Sequence, residues 1–261
     1  MDSSCKKIYC SHELDAKNLF DTFLSAHVPY SFAKEITLNV VNSFSKAFST
    51  GMVTGRTAID CSAGPIFYHL LPMSDVQEIT VLKLNDASLK EIKKWRNKEP
   101  DAFDWTHATE TLQELKGKSD ELEDEEEKLR GKIGKILKWD PSEGSPADAL
   151  SLPKADIVTN IMILESISKD EDEFRCNLRK MCDVMNPRGY LLSYSPCNAS
   201  YLNVGEDKFH LLPCDEKFYR KLFSEEGLEI KHLFKFDRVM RTDAIDHEGS
   251  IFIIAQKLKE P

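Results

Sequence analysis

The chain lacks any Cys-x-x-Cys pair, and its seven cysteines (Cys5, Cys10, Cys61, Cys176, Cys182, Cys197 and Cys214) are odd in number and widely spaced. That argues against a disulfide framework or a zinc site and points to reduced thiols with no metal. No apolar run approaches the roughly 20 residues of a membrane helix. The start, Met1 to Tyr9, is polar and charged where a secretory segment would be apolar. A soluble, cytoplasmic protein without a membrane partner is expected. Nor is there a Lys/Arg stripe interleaved with aromatics: 44 acidic residues outnumber 35 basic ones, a net charge of −9. Such a chain cannot displace the counterions of a nucleic acid, so none is expected as a partner. No repeat of solenoid period is present. A Gly-x-Gly-x-x-Gly turn is also missing, which disfavours a dinucleotide-dependent oxidoreductase.

What is present is an alternation of strand and helix patterns. Residues 11 to 48 carry apolar positions at helical spacing, Leu19, Phe20, Phe23 and Leu24, then Ile36, Val40, Val41, Phe44 and Phe48. This predicts two amphipathic helices broken near Pro29. A buried strand, Thr57 to Cys61, leads through Ser62-Ala63-Gly64-Pro65 into a helix from Ile66 to Leu71, with a strand from Glu78 to Leu82 and a helix from Ala87 to Asn97. The run Asp120 to Glu127 is too acidic to be buried and reads as the solvated start of a helix that continues past Lys128 to Leu137. Gly131 and Gly134 weaken that helix. Strand, helix and strand follow over 155–163, 172–185 and 190–194. A helix over 216–226 and an antiparallel strand pair over 229–236 and 250–256 end the chain. One α/β domain spans 1–261: a helical lid over 1–50, and a core over 51–261 with an acidic helical insert at about 107–138.

In an open α/β sheet the ligand lies beyond the carboxyl ends of the strands, beside the first one. Asp60, Gly64 and Tyr68 fall there. The single glycine of Asp60-Cys61-Ser62-Ala63-Gly64-Pro65 suits a nucleoside better than a pyrophosphate, although a plain connecting loop would read the same way.

Several blocks, in order, resemble the nicotinamide / phenylethanolamine / indolethylamine N-methyltransferase family. These are Ala58-Ile59-Asp60 with Gly64-Pro65 and Tyr68-His69-Leu70-Leu71; Glu91-Ile92-Lys93-Lys94-Trp95; Lys98-Glu99-Pro100-Asp101-Ala102-Phe103-Asp104-Trp105; Glu127-Lys128-Leu129-Arg130; and Gly205-Glu206-Asp207-Lys208-Phe209. They cover roughly residues 11 to 258, and the Lys-Glu-Pro block is the most specific. The resemblance implies a class I, Rossmann-like methyltransferase sheet, mostly parallel with a C-terminal antiparallel strand pair, under N-terminal lid helices. It also implies S-adenosylmethionine as cofactor and a small amine or pyridine as acceptor. A nitrogen lone pair would attack the sulfonium methyl, aided by alignment and exclusion of water, with no metal.

Carried over position by position, the resemblance makes Gly64 the cofactor-loop glycine, Tyr68 the tyrosine near the methionine carboxylate and Asp140 the carboxylate near the adenine amine. Tyr68 also suits a core position, and Asp140 a cap or turn. The remaining cofactor positions depart from the family. Ser62 and Ala63 replace a glycine and a serine, Ser88 an asparagine, and Lys83 the carboxylate that would hold both ribose hydroxyls. The lid tyrosines give way to Asn18, Thr22 and Phe23, of which Phe23 keeps an aromatic face for the sulfonium. Losing a hydrogen bond to a charged group costs about 1.5–3 kcal/mol, roughly ten- to a hundred-fold in affinity. Asn85 or Asp86 could substitute in part, and Lys83→Asp is expected to tighten nucleoside binding. On the acceptor side Ser195 replaces the orienting carboxylate and Leu202 a tyrosine, and Leu211 lies close by; Glu165, Asp207 and His210 are candidate replacements. The function expected is a small-molecule N-methyltransferase with an altered cofactor site; the alternative is a catalytically impaired relative that binds a small ligand or a protein.

Overall fold

Ala58, Ile59 and Cys61 alternate with no exposed partner, so their strand must be covered on both faces, as in the centre of a parallel sheet. The computed structural model, which describes residues 6–9, 14–25, 33–73, 75–117 and 122–258, puts it there. Strand β1 (Thr57–Ser62) lies between β2 (Glu78–Lys83) and β4 (Ala155–Ile161), parallel to both. With β3 (Ile133–Lys138), β5 (Met185–Cys197), β8 (Leu228–Asp237) and β9 (Gly249–Lys257), they form a seven-stranded sheet of order β3-β2-β1-β4-β5-β9-β8. The first five strands run parallel, and β9 is antiparallel to both of its neighbours, β5 and β8. The strand order reverses between β1 and β4, which creates the crevice where a ligand is expected.

Helices cover both faces. The lid begins with α1 (Ala16–Leu19), capped by the Asp15 carboxylate on the Lys17 and Asn18 amides, and a wider π turn over Phe20–Leu24. Helix α2 (Ala33–Ser49) turns Val40, Val41, Phe44 and Phe48 inward at helical spacing. The break expected near Pro29 lies outside the described residues. Helices α3 (Asp86–Arg96), α4 (Thr106–Lys116) and α5 (Leu122–Lys132) follow on the β2–β3 side. Short α6 (Pro146–Leu150) and α7 (Leu164–Ile167) precede α8 (Glu171–Asp183), and α9 (Glu216–Glu225) packs near β8. The Lys-Glu-Pro block does structural work: Phe103 stacks on Phe20 of the lid at 4.4 Å between ring centres, and Trp105 meets Phe20 edge-on at 5.0 Å.

Three elements differ from expectation. Ile66 to Leu71 gives only one 3₁₀ turn, Tyr68–Leu70. The Ile66 carbonyl is taken by the Lys83 ammonium at 2.7 Å, and Pro72 has no N–H to extend the turn beyond Leu71. The helix expected to run past Lys128 stops at Lys132, and Ile133–Lys138 is instead edge strand β3; Ile133 and Ile136, buried on the sheet, override the helical start. A hairpin of β6 (Tyr201–Val204) and β7 (Asp207–His210) forms around Gly205, whose φ of +61° only glycine adopts readily.

Candidate functional site

Asp60, at the carboxyl end of β1, is completely buried. His69 Nε2 sits 2.6 Å from its Oδ1, Thr159 of β4 donates to the same oxygen at 2.6 Å, and Ser62 Oγ lies 2.8 Å from Oδ2. Burial alone would raise this carboxyl, but the charges of His69 and Lys83, with the hydrogen bonds from His69 and Thr159, hold it at about 2.

Lys83 ends the neighbouring strand β2 and is equally buried. Its Nζ donates to Ser62 Oγ at 2.5 Å, the Ile66 carbonyl at 2.7 Å and the Ser62 carbonyl at 3.3 Å, and lies 3.7 Å from Asp60 Oδ2. Burial lowers its pKa to about 8, with Asp60 opposing. The ammonium thus turns back into the protein and spends its donors on the glycine loop. An ammonium can only donate, so the Lys83 side chain presents no acceptor to a ribose. The expected benefit of Lys83→Asp reverses here, because a second carboxylate would face Asp60 in a buried site.

The glycine loop is occupied from the lid side. Gly64, at φ +59°, gives its N–H to the Tyr9 hydroxyl at 2.5 Å. A β-carbon at Gly64 would stand 2.3 Å from Leu19 Cδ2. Tyr9 is 1% exposed, its hydroxyl faces Asn85 and Ser88, and burial pushes its pKa up to about 12. The close backbone approach a glycine allows is therefore used by Leu19 and Tyr9. Gly64→Ala is expected to cost about 1–3 kcal/mol, from the left-handed backbone and the contact with Leu19. Chemical denaturation should show that loss, with Leu19→Ala relieving part of it.

The other expected residues divide. Ser62 and Ala63 form the loop; the Ala63 amide donates to the Ile161 carbonyl at 2.9 Å. Tyr68 is buried against Trp105, with its hydroxyl toward Thr37. Ser88 is buried on α3, its amide capped by Asn85 Oδ1 at 2.9 Å. Asp86 points away, paired with Lys138 at 2.7 Å. Asp140 is exposed and takes the Ser142 amide at 2.8 Å, a bond that, with the Ser142 hydroxyl, lowers its pKa. Phe23 reaches the acceptor end, where it lines a cavity of about 60 Å³ with Tyr9, Leu19, Tyr194, Leu202 and Leu211. Small-ligand sites measure about 300–1,000 Å³.

Ser195 faces away from that cavity's other lining residues on β5, toward Glu165 of α7 and Tyr219 of α9. All three are fully buried, and the Glu165 oxygens, the Ser195 hydroxyl and the Tyr219 hydroxyl complete no hydrogen bond. Burial pushes Glu165 up to about 7. Asp207 pairs with Lys7 at 2.7 Å, and half-buried His210 closes β7. Among the described residues no three His, Cys, Asp or Glu side chains are grouped to hold a metal, and no helix is long and apolar enough to cross a membrane. Cys61, Cys176, Cys182, Cys197 and Cys214 are free thiols, whereas Cys5 and Cys10 lie outside the described residues.

Asp60, Gly64 and Lys83 lie together at the carboxyl ends of β1 and β2, and beside them stand His69 and Tyr9, which sequence reasoning did not single out. A signal existed for His69: its partner Asp60 is a buried strand carboxylate that needs a donor. None existed for Tyr9, nine residues from the start and 55 from Gly64. The glycine approach is met by Leu19 and Tyr9, an inward-turned ammonium stands where the ribose acceptor was expected, and Asp140, Asp86 and Asn18 are exposed.

The model of the NNMT/PNMT/TEMT family matches residues 4–258. Human nicotinamide N-methyltransferase is 28% identical over 257 residues, covering 98% of this chain and 97% of that protein. Human phenylethanolamine N-methyltransferase is 29% identical over 219 residues, covering 82% of this chain and 77% of that one. The crystal structure of magnesium protoporphyrin IX methyltransferase (ChlM) from Synechocystis PCC 6803 with bound SAH superposes with a TM-score of 0.56. It is 11% identical and covers 92% of this chain and 93% of that one. The chain belongs to the NNMT/PNMT/TEMT family and has the class I methyltransferase fold, which together support S-adenosylmethionine as its cofactor.

Proposed function

We propose that this chain is a catalytically impaired relative of the small-molecule N-methyltransferases, one that keeps their scaffold while its donor crevice is closed by its own side chains. The observation that carries this reading is the Lys83 ammonium, buried and bonded to Ser62 and Ile66 where a ribose-binding carboxylate is expected. The residual cavity beside Phe23 is walled mostly by apolar side chains, Leu202 and Leu211 among them, with Glu35, Ser166, His247 and Ser250 as its polar members. It suits a small apolar guest.

A second reading, methyl transfer from S-adenosylmethionine to a small amine or pyridine like those its relatives are named for, has one observation in its favour. Glu165 and Ser195 hold buried, unsatisfied oxygens near the acceptor end, and a buried carboxylate without a counter-charge favours a cation.

Thermal melting separates the two. A ligand at one hundred times its Kd stabilises by about 2.7 kcal/mol, a shift of several degrees for a chain of this size. Millimolar S-adenosylhomocysteine is expected to leave the Tm unchanged. A rise of several degrees would favour the methyltransferase reading.

A further inference from the structure

The strand-end crevice is filled by a part of the chain that the sheet does not itself hold in place. Lys6 to Tyr9 lies along β7 as a short parallel strap: the Lys7 amide donates to the Lys208 carbonyl at 2.8 Å, and the His210 amide to the Lys7 carbonyl at 2.8 Å. Lys6 Nζ reaches the Ser200 carbonyl at 2.7 Å. Docked this way, the strap inserts Tyr9 between the hairpin and the crevice, with its ring edge-on to Phe209 at 6.1 Å and its hydroxyl on the Gly64 amide. Asn85 and Ser88 complete the surroundings of that hydroxyl.

A loop amide, a side-chain amide and a hydroxyl converging beyond two parallel strands form a receptor for a hydroxyl group. Here the group comes from the chain. We propose that Tyr9 is an internal ligand of this crevice: its phenol takes the hydroxyl position of a nucleoside, so strap docking and nucleoside entry are mutually exclusive. The inference rests on the reading that the donor crevice is closed, and it assigns that closure to a displaceable element rather than to Lys83 alone. Because the strap also bonds to β7, its release would loosen that edge of the β6–β7 hairpin, while Leu202 against Ile245, the Asn203 amide on the Ala244 carbonyl and Ser200 on Asp246 keep the β6 side anchored.

The test compares the full chain with its Tyr9→Phe and Tyr9→Ala variants. Tyr9→Phe keeps the ring and removes only the hydroxyl, so folding is preserved. Amide hydrogen exchange at Gly64 should speed up at least ten-fold in Tyr9→Phe, and an unchanged rate would overturn the proposal. Calorimetric titration with S-adenosylhomocysteine should give at least ten-fold tighter binding to Tyr9→Ala than to the unaltered chain. Equal or weaker binding, or none to either, would overturn it, and absence of binding to either would leave the impaired-relative reading standing on Lys83. Micromolar binding to the unaltered chain would instead remove that reading, and the ratio between variants would still judge the strap.

Discussion

Replacing Lys83 with methionine is expected to destabilise the protein by about 3–5 kcal/mol, the cost of breaking a buried ion pair by removing one partner. The methionine fills similar space, so the loss comes from charge and hydrogen bonding. Asp60 would keep His69 and Thr159 but lose its cation, and the Ile66 carbonyl would lose its closest donor. For a chain of this length the Tm should fall by roughly 10 °C. Adding Asp60→Asn should cost less than its effect in the unaltered chain, because the two groups share one network and couple by about 0.5–3 kcal/mol. Additive losses would mean that the two do not interact. A Lys83→Met variant that melts like its parent would place the ammonium in solvent, contrary to the structure.

Glu165→Gln is expected to do the opposite, with an advantage that grows from pH 4.5 and is complete above neutral pH. Burial raises the Glu165 carboxyl from its ordinary 4.5 to about 7, with Ser195 on β5, Tyr219 on α9 and Cys214 and Cys197 around it. The folded protein therefore holds this proton more tightly than the unfolded chain does. The sign follows from linkage: the contribution is fully present below pH 4.5 and is lost as pH rises through 7. The loss is on the order of 3 kcal/mol once the group is ionised in both states. Glutamine has no such proton, so the variant should keep its stability between pH 4.5 and 8 while the parent loses on the order of 5–10 °C in Tm. The depressed pKa of Lys83 works in the other direction, since its contribution is present above 10.5 and lost as pH falls through 8. It does not mask a decline that begins below neutrality. Parallel melting curves for parent and variant across that range would show Glu165 to be hydrated.

The strands that build the sheet were readable because burial on both faces leaves near-continuous apolar runs, as at Ala58–Cys61 and Ile157–Ile161. Lys83 was readable as a break in an expected site, since one charged residue ends an otherwise apolar strand. Its direction was not readable. Whether an ammonium faces a ligand or its own loop depends on carbonyls at Ser62 and Ile66, which nothing in the local pattern marks. Asp140 shows the reverse case: the residue could be aligned with a cofactor contact and equally read as a cap, and the bond it makes is to Ser142. Ile133–Lys138 was misread because an acidic helical start set the period for residues that a neighbouring strand later captured. Tyr9 was invisible because its role exists only through contacts 55 and more residues away.

The most direct test is a crystal structure of the unaltered chain grown with a large excess of S-adenosylhomocysteine. The predicted result shows the Lys83 ammonium bonded to the Ser62 hydroxyl and the Ile66 carbonyl, and Tyr9 on the Gly64 amide, with no nucleoside between Gly64 and Asp140. Density for adenosine in that space, with Tyr9 displaced and Lys83 swung away from the loop, would contradict it.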